Sequence, residues 1–111
     1  TLSGDDPEEV MRRYEEWLLQ VSPHGPRFVS DNNGFDWMFV CWYFHQFLGR
    51  NPFGYSSTNL GSLYKGLTGS MRNSFKHLRQ TSHTHDSLDD ARGNAEALLT
   101  MKGTMGLDID L

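Results

Sequence analysis

The sequence contains a single cysteine, Cys41, and no apolar run of the roughly 18 residues that a membrane-spanning helix requires. A lone thiol cannot form a disulfide within the chain, and such a residue is usually a small buried apolar group. The first residues also lack the basic and apolar regions of a signal peptide. These absences predict a protein of a reducing compartment that has no membrane anchor. We therefore expect the protein to be located in the cytoplasm.

Acidic residues are absent from residues 50–85, although the chain as a whole has a net charge of −4. That segment, which we call the basic block, carries five Lys or Arg and three His, whereas all 14 acidic residues lie on either side of it. The overall acidity argues against a passive nucleic-acid binder, but a local basic block can attract phosphates. A solvated basic loop would have the same composition, so charge alone leaves both interpretations open.

With 111 residues the chain is the size of one domain, and we predict a single domain over residues 1–111 with residues 103–111 as a tail. Residues 27–30 predict one short strand, residues 50–58 predict a loop, and residues 59–67 predict a short helix. One short strand cannot form a sheet by itself. Either partner strands are missing from this chain, or the fold is mostly helical.

Three longer helices are predicted. Residues 7–21 form the first, since Asp6 can cap it and Glu9 completes a capping box. Residues 35–48 are apolar on nearly every side, which predicts a helix that is buried on most faces and stops at Gly49. Residues 87–101 predict the last helix, and its expected inner stripe consists of Leu88, Ala91, Ala95, Leu98 and Leu99.

Aspartates occur at the start of the second and last of these helices. Asp36 lies in the first turn of an otherwise apolar helix, where a buried carboxylate is costly unless it is paired or bound to a metal. Asp90 follows Ser87 by three residues, which is also the spacing of ordinary N-terminal capping. Carboxylates aimed from two helix starts at one cavity would suit Mg²⁺ or Mn²⁺.

Two stretches resemble motifs of the DEDDh superfamily of 3′→5′ exonucleases. D-N-N-G-F-D, with Asn32, Phe35 and Asp36, resembles the second motif N-x-x-F-D, and H-D-S-L-D-D-A, with His85 five residues before Asp90, resembles the third. The family includes proofreading exonuclease subunits, ribonuclease T and oligoribonuclease. The resemblance covers roughly residues 5–102. It implies an α/β, ribonuclease H-like exonuclease fold, of which this chain is the mostly helical C-terminal part with the first strands missing.

The resemblance implies a two-metal hydrolysis that removes nucleotides from the 3′ end of single-stranded DNA or RNA. Asp36 and Asp90 would be two of four carboxylates holding two Mg²⁺ or Mn²⁺ ions about 4 Å apart. His85 would be the general base, a role that suits an ordinary histidine pKa of about 6.5. Asn32 would orient the strand end or contact the substrate, and Phe35 would pack at the substrate edge or, as aromatics more often do, in the core.

The basic block supplies the remaining expected substrate contacts. Its cations would lead the phosphate backbone to the metals by charge, without reading bases. The residues assigned to this role are Arg72, Lys76 and Arg79.

The chain departs from the family pattern because no Asp-x-Glu, the first motif, lies on an apolar strand. Residues 108–110 read Asp-Ile-Asp, but they lie at the wrong end of the chain. We expect a missing N-terminal segment or a second chain to supply the first strands. A homodimer is expected by analogy with ribonuclease T and oligoribonuclease. The same departure would also fit an inactive or degenerate exonuclease-like fragment that serves as an interaction module.

A helical metal-binding protein is a further alternative. It would use His83, His85, Asp86 and Asp89, but zinc sites usually have more Cys or His at fixed spacing. His83 lies two residues before the motif histidine, and we expect it to be a surface residue.

Overall fold

The computed structural model describes residues 4–110. This part of the chain is mixed α/β, mostly helical with one small parallel sheet, which confirms the predicted class at that level. No helix within it is both long enough and apolar enough to cross a membrane. Its elements are α1 (Pro7–Val21), β1 (Val29–Ser30), α2 (Asn33–Leu48), β2 (Thr58–Asn59), α3 (Leu60–Thr68), one 3₁₀ turn (Lys76–Leu78) and α4 (Ser87–Thr104).

The described residues divide into two compact units. The first comprises residues 4–28 and Asn33–Ser57, and the second comprises Val29–Asn32 and residues 58–110. Each unit has its own apolar core, so the prediction of one domain stays a prediction. The core of the first consists of Met11, Leu18, Phe44 and Phe53, and that of the second of Leu60, Tyr64, Phe75, Ala97 and Met101.

In the first unit, α1 begins as the sequence predicts. The Asp6 carboxylate accepts a hydrogen bond from the Glu9 backbone amide at 3.2 Å. Farther along α1, Glu15 is buried, and its two carboxylate oxygens accept hydrogen bonds from the Arg50 guanidinium at 2.9 and 2.6 Å. These hydrogen bonds raise the pKa of Arg50. One cation of the basic block is therefore already engaged by a carboxylate.

The prediction that α2 is buried on most faces is wrong. Only Phe44 is fully buried, while Phe35, Met38, Phe39 and Trp42 are 46–61% exposed. The reason is that α1 packs against one side of α2, and one neighbouring helix cannot cover a helix that is apolar all round. The predicted stop is confirmed, because α2 ends at Leu48 and Gly49 adopts a positive φ of 70°.

In the second unit, β1 pairs with β2 in parallel, with Val29 opposite Thr58 and Ser30 opposite Asn59. One partner strand is therefore supplied by this chain, at the junction of the predicted loop and the predicted short helix. A strand of two residues has no periodicity by which a sequence could reveal it. Asn59 also caps α3, since its side-chain oxygen accepts a hydrogen bond from the Ser62 amide at 3.0 Å.

Helix α4 begins at Ser87, as the sequence predicts, and it continues to Thr104, into the predicted tail. Its cap is Asp86, which accepts hydrogen bonds from the amides of Leu88 at 2.9 Å and Asp89 at 3.4 Å. Of the predicted inner stripe only Leu98 packs against the core; the rest of that prediction is wrong, since Leu88 and Leu99 are 57% and 60% exposed. Another set of residues at four-residue spacing is buried instead, namely Gly93, Ala97 and Met101.

Candidate active site

Three potential ligand side chains converge in the second unit, where the loop before α4 meets the first turn of that helix. His83, His85 and Asp90 each offer one ligand atom, and these atoms lie within 4.8 Å of one another. The rings of His83 and His85 are 4.7 Å apart between centroids. His83 Nε2 lies 3.5 Å from Asp90 Oδ2. The two residues of the predicted third motif are thus close together, and His83 joins them.

The three aspartates at the start of α4 differ in their partners. Asp86 caps the helix, and Asp89 Oδ2 accepts a hydrogen bond from Thr84 Oγ1 at 2.8 Å. Asp90 Oδ1 is buried and has no hydrogen-bond partner among the residues that the structure describes. A buried carboxylate oxygen is costly unless a cation or donor compensates it. Asp90 therefore fits an oxygen-preferring ion such as Mg²⁺ or Mn²⁺.

A residue with a positive φ occurs in both predicted motifs. Within residues 4–110, the non-glycine residues with a positive φ are Asn32 at 48° and His85 at 64°. The left-handed region costs most non-glycine residues on the order of 1 kcal/mol, although asparagine tolerates it, and residues with such a backbone cluster at functional sites. Each of these two belongs to a stretch that resembles an exonuclease motif, which supports a functional role for both stretches.

An open cleft of about 470 Å³ lies beside His83 and His85. Lys76 lines it and is exposed, so a cation of the basic block borders the same cleft as His85. Arg72 is exposed but is not among the lining residues. The Arg79 side chain is only 7% exposed and donates to Asp31 Oδ2 at 3.3 Å. The three predicted substrate-binding cations therefore have different surroundings.

The second-motif residues fall in both units. Asn32 is exposed in the second unit, two residues after the end of β1. Phe35 and Asp36 are exposed in the first turn of α2 in the first unit, so the expectation that Phe35 belongs to the core is wrong. The Phe35 ring packs on Phe39 with centroids 5.0 Å apart. Because Asp36 is exposed, the argument that a buried carboxylate needs a partner does not apply to it.

Sequence reasoning missed the contacts of His83 and of Glu96. His83 is exposed, as expected, but it contacts both Asp90 and Arg79. Glu96 accepts hydrogen bonds from the Thr81 amide and hydroxyl and from the Gln80 amide, and these bonds lower its pKa. The closely spaced histidines of S-H-T-H were the available signal for His83. No sequence pattern predicts the contacts of Glu96 with Gln80 and Thr81, which lie 16 and 15 positions earlier, across a loop.

The alternative metal set does not assemble in the described part of the chain. It required Asp86 and Asp89 beside the two histidines, but both carboxylates serve local hydrogen bonds at the start of α4. The cluster that does assemble contains Asp90 in their place.

No protein-family model matches the chain. Its sequence is nevertheless similar over most of its length to that of a curated 3′-5′ exonuclease, which confirms the resemblance indicated by the motifs at the level of the 3′-5′ exonucleases. That protein is the 3′-5′ DNA exonuclease Cap18 of Escherichia coli, which is 36% identical in an alignment of 104 residues that covers 86% of this chain. The chain spans about half of that relative's length, 56%.

Proposed function

We propose that this chain is the C-terminal, mostly helical part of a DEDDh-type 3′→5′ exonuclease with a ribonuclease H-like fold. Its substrate would be single-stranded DNA, the nucleic acid in the name of its relative. The observation that carries the proposal is the convergence of His85 and Asp90, with Asp90 Oδ1 buried and lacking a hydrogen-bond partner in the described residues. The similarity to a curated exonuclease favours this function over an inactive interaction module.

Asp90 and Asp36 would hold the divalent ions, Mg²⁺ or Mn²⁺, of which the active enzyme uses two. When bound, the ions would activate a water molecule and neutralise charge on the scissile phosphate. His85 would accept the proton of that water on a ring nitrogen. Its ring borders an open cleft, so solvent and a nucleic-acid end can reach it.

Substrate binding would depend on exposed groups of the chain. Lys76 borders the cleft of His85, where a positive charge attracts phosphate, and Arg72 would act farther along the backbone of the substrate. The exposed ring of Phe35 offers a surface on which a base can stack, and Asn32 offers an amide for a hydrogen bond. Because the Arg79 side chain is buried, we propose that it supports substrate binding by positioning other residues and not by contacting the substrate itself.

The first-motif carboxylates would come from an N-terminal segment or from a second chain. The strands that carry them would add to the small sheet of β1 and β2. The exposed apolar side chains of α2 support an additional partner surface, because large exposed apolar patches mark interaction sites. We also propose a homodimer and a cytoplasmic location, the latter from the free thiol of Cys41.

The proposal is tested with single-stranded DNA labelled at its 5′ end, using the full-length protein and this chain. We expect shortening from the 3′ end that requires Mg²⁺ or Mn²⁺, and almost none by the chain alone. Asp90→Asn should abolish this shortening. Asp89→Asn should retain most of it, because Asp89 is the neighbouring residue and its carboxylate already has a local hydrogen-bond partner. Activity that survives complete chelation, or equal losses in the two variants, would refute the metal role of Asp90.

A further inference from the structure

Arg79 lies at the centre of a set of contacts that no phosphate-binding role requires. Its guanidinium donates to Asp31 Oδ2 at 3.3 Å and to Asn94 Oδ1 at 2.8 Å. It also lies over the Phe75 ring, 5.1 Å from the centroid. Its third polar partner within residues 4–110 is His83 Nδ1, 2.8 Å from Nη1. With a side chain only 7% exposed, Arg79 is held in one orientation beside His83.

This contact decides which nitrogen of His83 carries a proton. A guanidinium has only donors, so His83 Nδ1 must be the acceptor. A neutral imidazole that accepts at Nδ1 carries its proton on Nε2, and Nε2 faces Asp90 Oδ2 at 3.5 Å. Neither nitrogen of His83 then has a free lone pair, because one is bonded to Arg79 and the other is protonated.

The consequence concerns metal selection. Two imidazoles and a carboxylate are a ligand set that binds Zn²⁺ well, and His83, His85 and Asp90 lie close enough to provide it. Zinc bound there would occupy the general base and a metal-holding carboxylate of the proposed site. We propose that Arg79 is a positioning residue that holds His83 as a proton donor toward Asp90 and thereby keeps this cluster from binding Zn²⁺. The biological importance of this exclusion rests on the proposed function.

The first test needs no variant of Arg79. Nitrogen-15 NMR of the histidine rings in the full chain, with the His83 signals assigned by their loss in His83→Gln, reports the protonated nitrogen. We expect the proton of His83 on Nε2. A proton on Nδ1 would overturn the proposal, whatever the stability of any Arg79 variant.

The second test measures Zn²⁺ affinity by competition with a chelator, without nucleic acid. In Arg79→Gln, the amide oxygen can accept a hydrogen bond from Nδ1–H of the other His83 tautomer, in which Nε2 is free to bind metal. Since partners of ligating histidines typically change metal affinity by about 10- to 100-fold, we expect a gain of at least about tenfold. Adding His83→Ala to this variant should remove the gain.

Arg79→Lys is the matched control, because an ammonium still donates to Nδ1 but cannot reproduce the fork of contacts to Asp31 and Asn94. Zinc affinity should stay near that of the unsubstituted chain. If the Zn²⁺ affinity of Arg79→Lys rises as much as that of Arg79→Gln, the gain comes from a loosened structure and the proposal is wrong. Equal affinities of Arg79→Gln and the unsubstituted chain would also overturn it. Neither measurement involves DNA hydrolysis, so failure here is distinct from failure of the proposed exonuclease function.

Discussion

Glu96 holds the connector that precedes His83 and His85 through two contacts with Thr81. The Thr81 backbone amide donates to Glu96 Oε1 at 2.8 Å, and its hydroxyl donates to Oε2 at 3.1 Å. Because these donors favour the charged carboxylate, they hold the pKa of Glu96 below its ordinary value of 4.5. A residue in the middle of α4 thus fixes the start of the loop that carries both site histidines.

This contact predicts an acid dependence of stability. A carboxyl with a lowered folded-state pKa stabilises the fold above its ordinary pKa, and the contribution is lost as the pH falls from about 4.5 through the folded value. Glu96→Gln should therefore lower the free energy of unfolding most at neutral pH, and the difference should shrink in acid. Urea unfolding from pH 7 downward measures it, with exposed Asp108→Asn as the control. A difference that stays constant into strong acid would contradict the prediction.

Gly93 on α4 lies against the stem of Arg79. A Cβ at this position would lie 3.0 Å from Arg79 Cδ and 3.3 Å from Cγ. Because Asp31 and Asn94 hold the guanidinium, the stem cannot move away, and Gly93→Ala should lower the free energy of unfolding by about 1 kcal/mol despite its better helix propensity. Gly66→Ala on α3 is the control: nothing lies near its Cβ, so it should raise stability by about 0.5 kcal/mol. A stabilised Gly93→Ala would show that Arg79 is not held in place.

The basic block should contribute to substrate binding unevenly. Lys76 borders the cleft of His85 and Arg72 does not. Lys76→Ala should therefore raise KM several-fold with kcat nearly unchanged, as expected for lost uniform binding. The dependence of log KM on log salt should become shallower by about one. Arg72→Ala should have a smaller effect on KM and on its salt dependence. Steady-state kinetics of the full-length enzyme test this, and a fall in kcat at constant KM would show that Lys76 acts on the transition state.

The features that the sequence predicted depend on neighbouring residues. The cap of α1 needs only Asp6 and Glu9, three positions apart, and the end of α2 needs only Gly49. His85 and Asp90 are likewise separated by less than two helical turns, so a short motif brings them together. Local geometry is sufficient in each of these cases.

The features that the sequence missed depend on distant contacts. Arg79 and Arg72 are both arginines of the basic block, and what distinguishes Arg79 is its contacts with residues distant in sequence, among them Asp31, 48 positions away. The inner face of α4 was missed for a related reason. The helix has two stripes of residues at four-residue spacing. The stripe that contains Gly93 and Ala97 packs against the core, because small residues allow close approach.

His85 combines a proposed chemical role with a strained backbone, and the two can be separated. Its φ of 64° disfavours alanine, whereas asparagine tolerates the left-handed region. His85→Ala and His85→Asn should both lose about 10²–10⁴ in rate, because neither can accept the proton, while affinity for Mn²⁺ stays close to that of the unsubstituted enzyme because Asp90 is intact. The Asn variant should lose less stability than the Ala variant.

Single-turnover rates of the full-length enzyme, Mn²⁺ titrations and urea unfolding test the His85 variants together. His24→Ala, an exposed loop histidine of the first unit, is the control and should keep the full rate. If His85→Asn regains most of the activity that His85→Ala loses, the residue acts through its backbone conformation. Equal and large losses in both, at unchanged Mn²⁺ affinity, are expected only of a proton acceptor, because backbone strain would separate the two variants and a metal ligand would weaken Mn²⁺ binding.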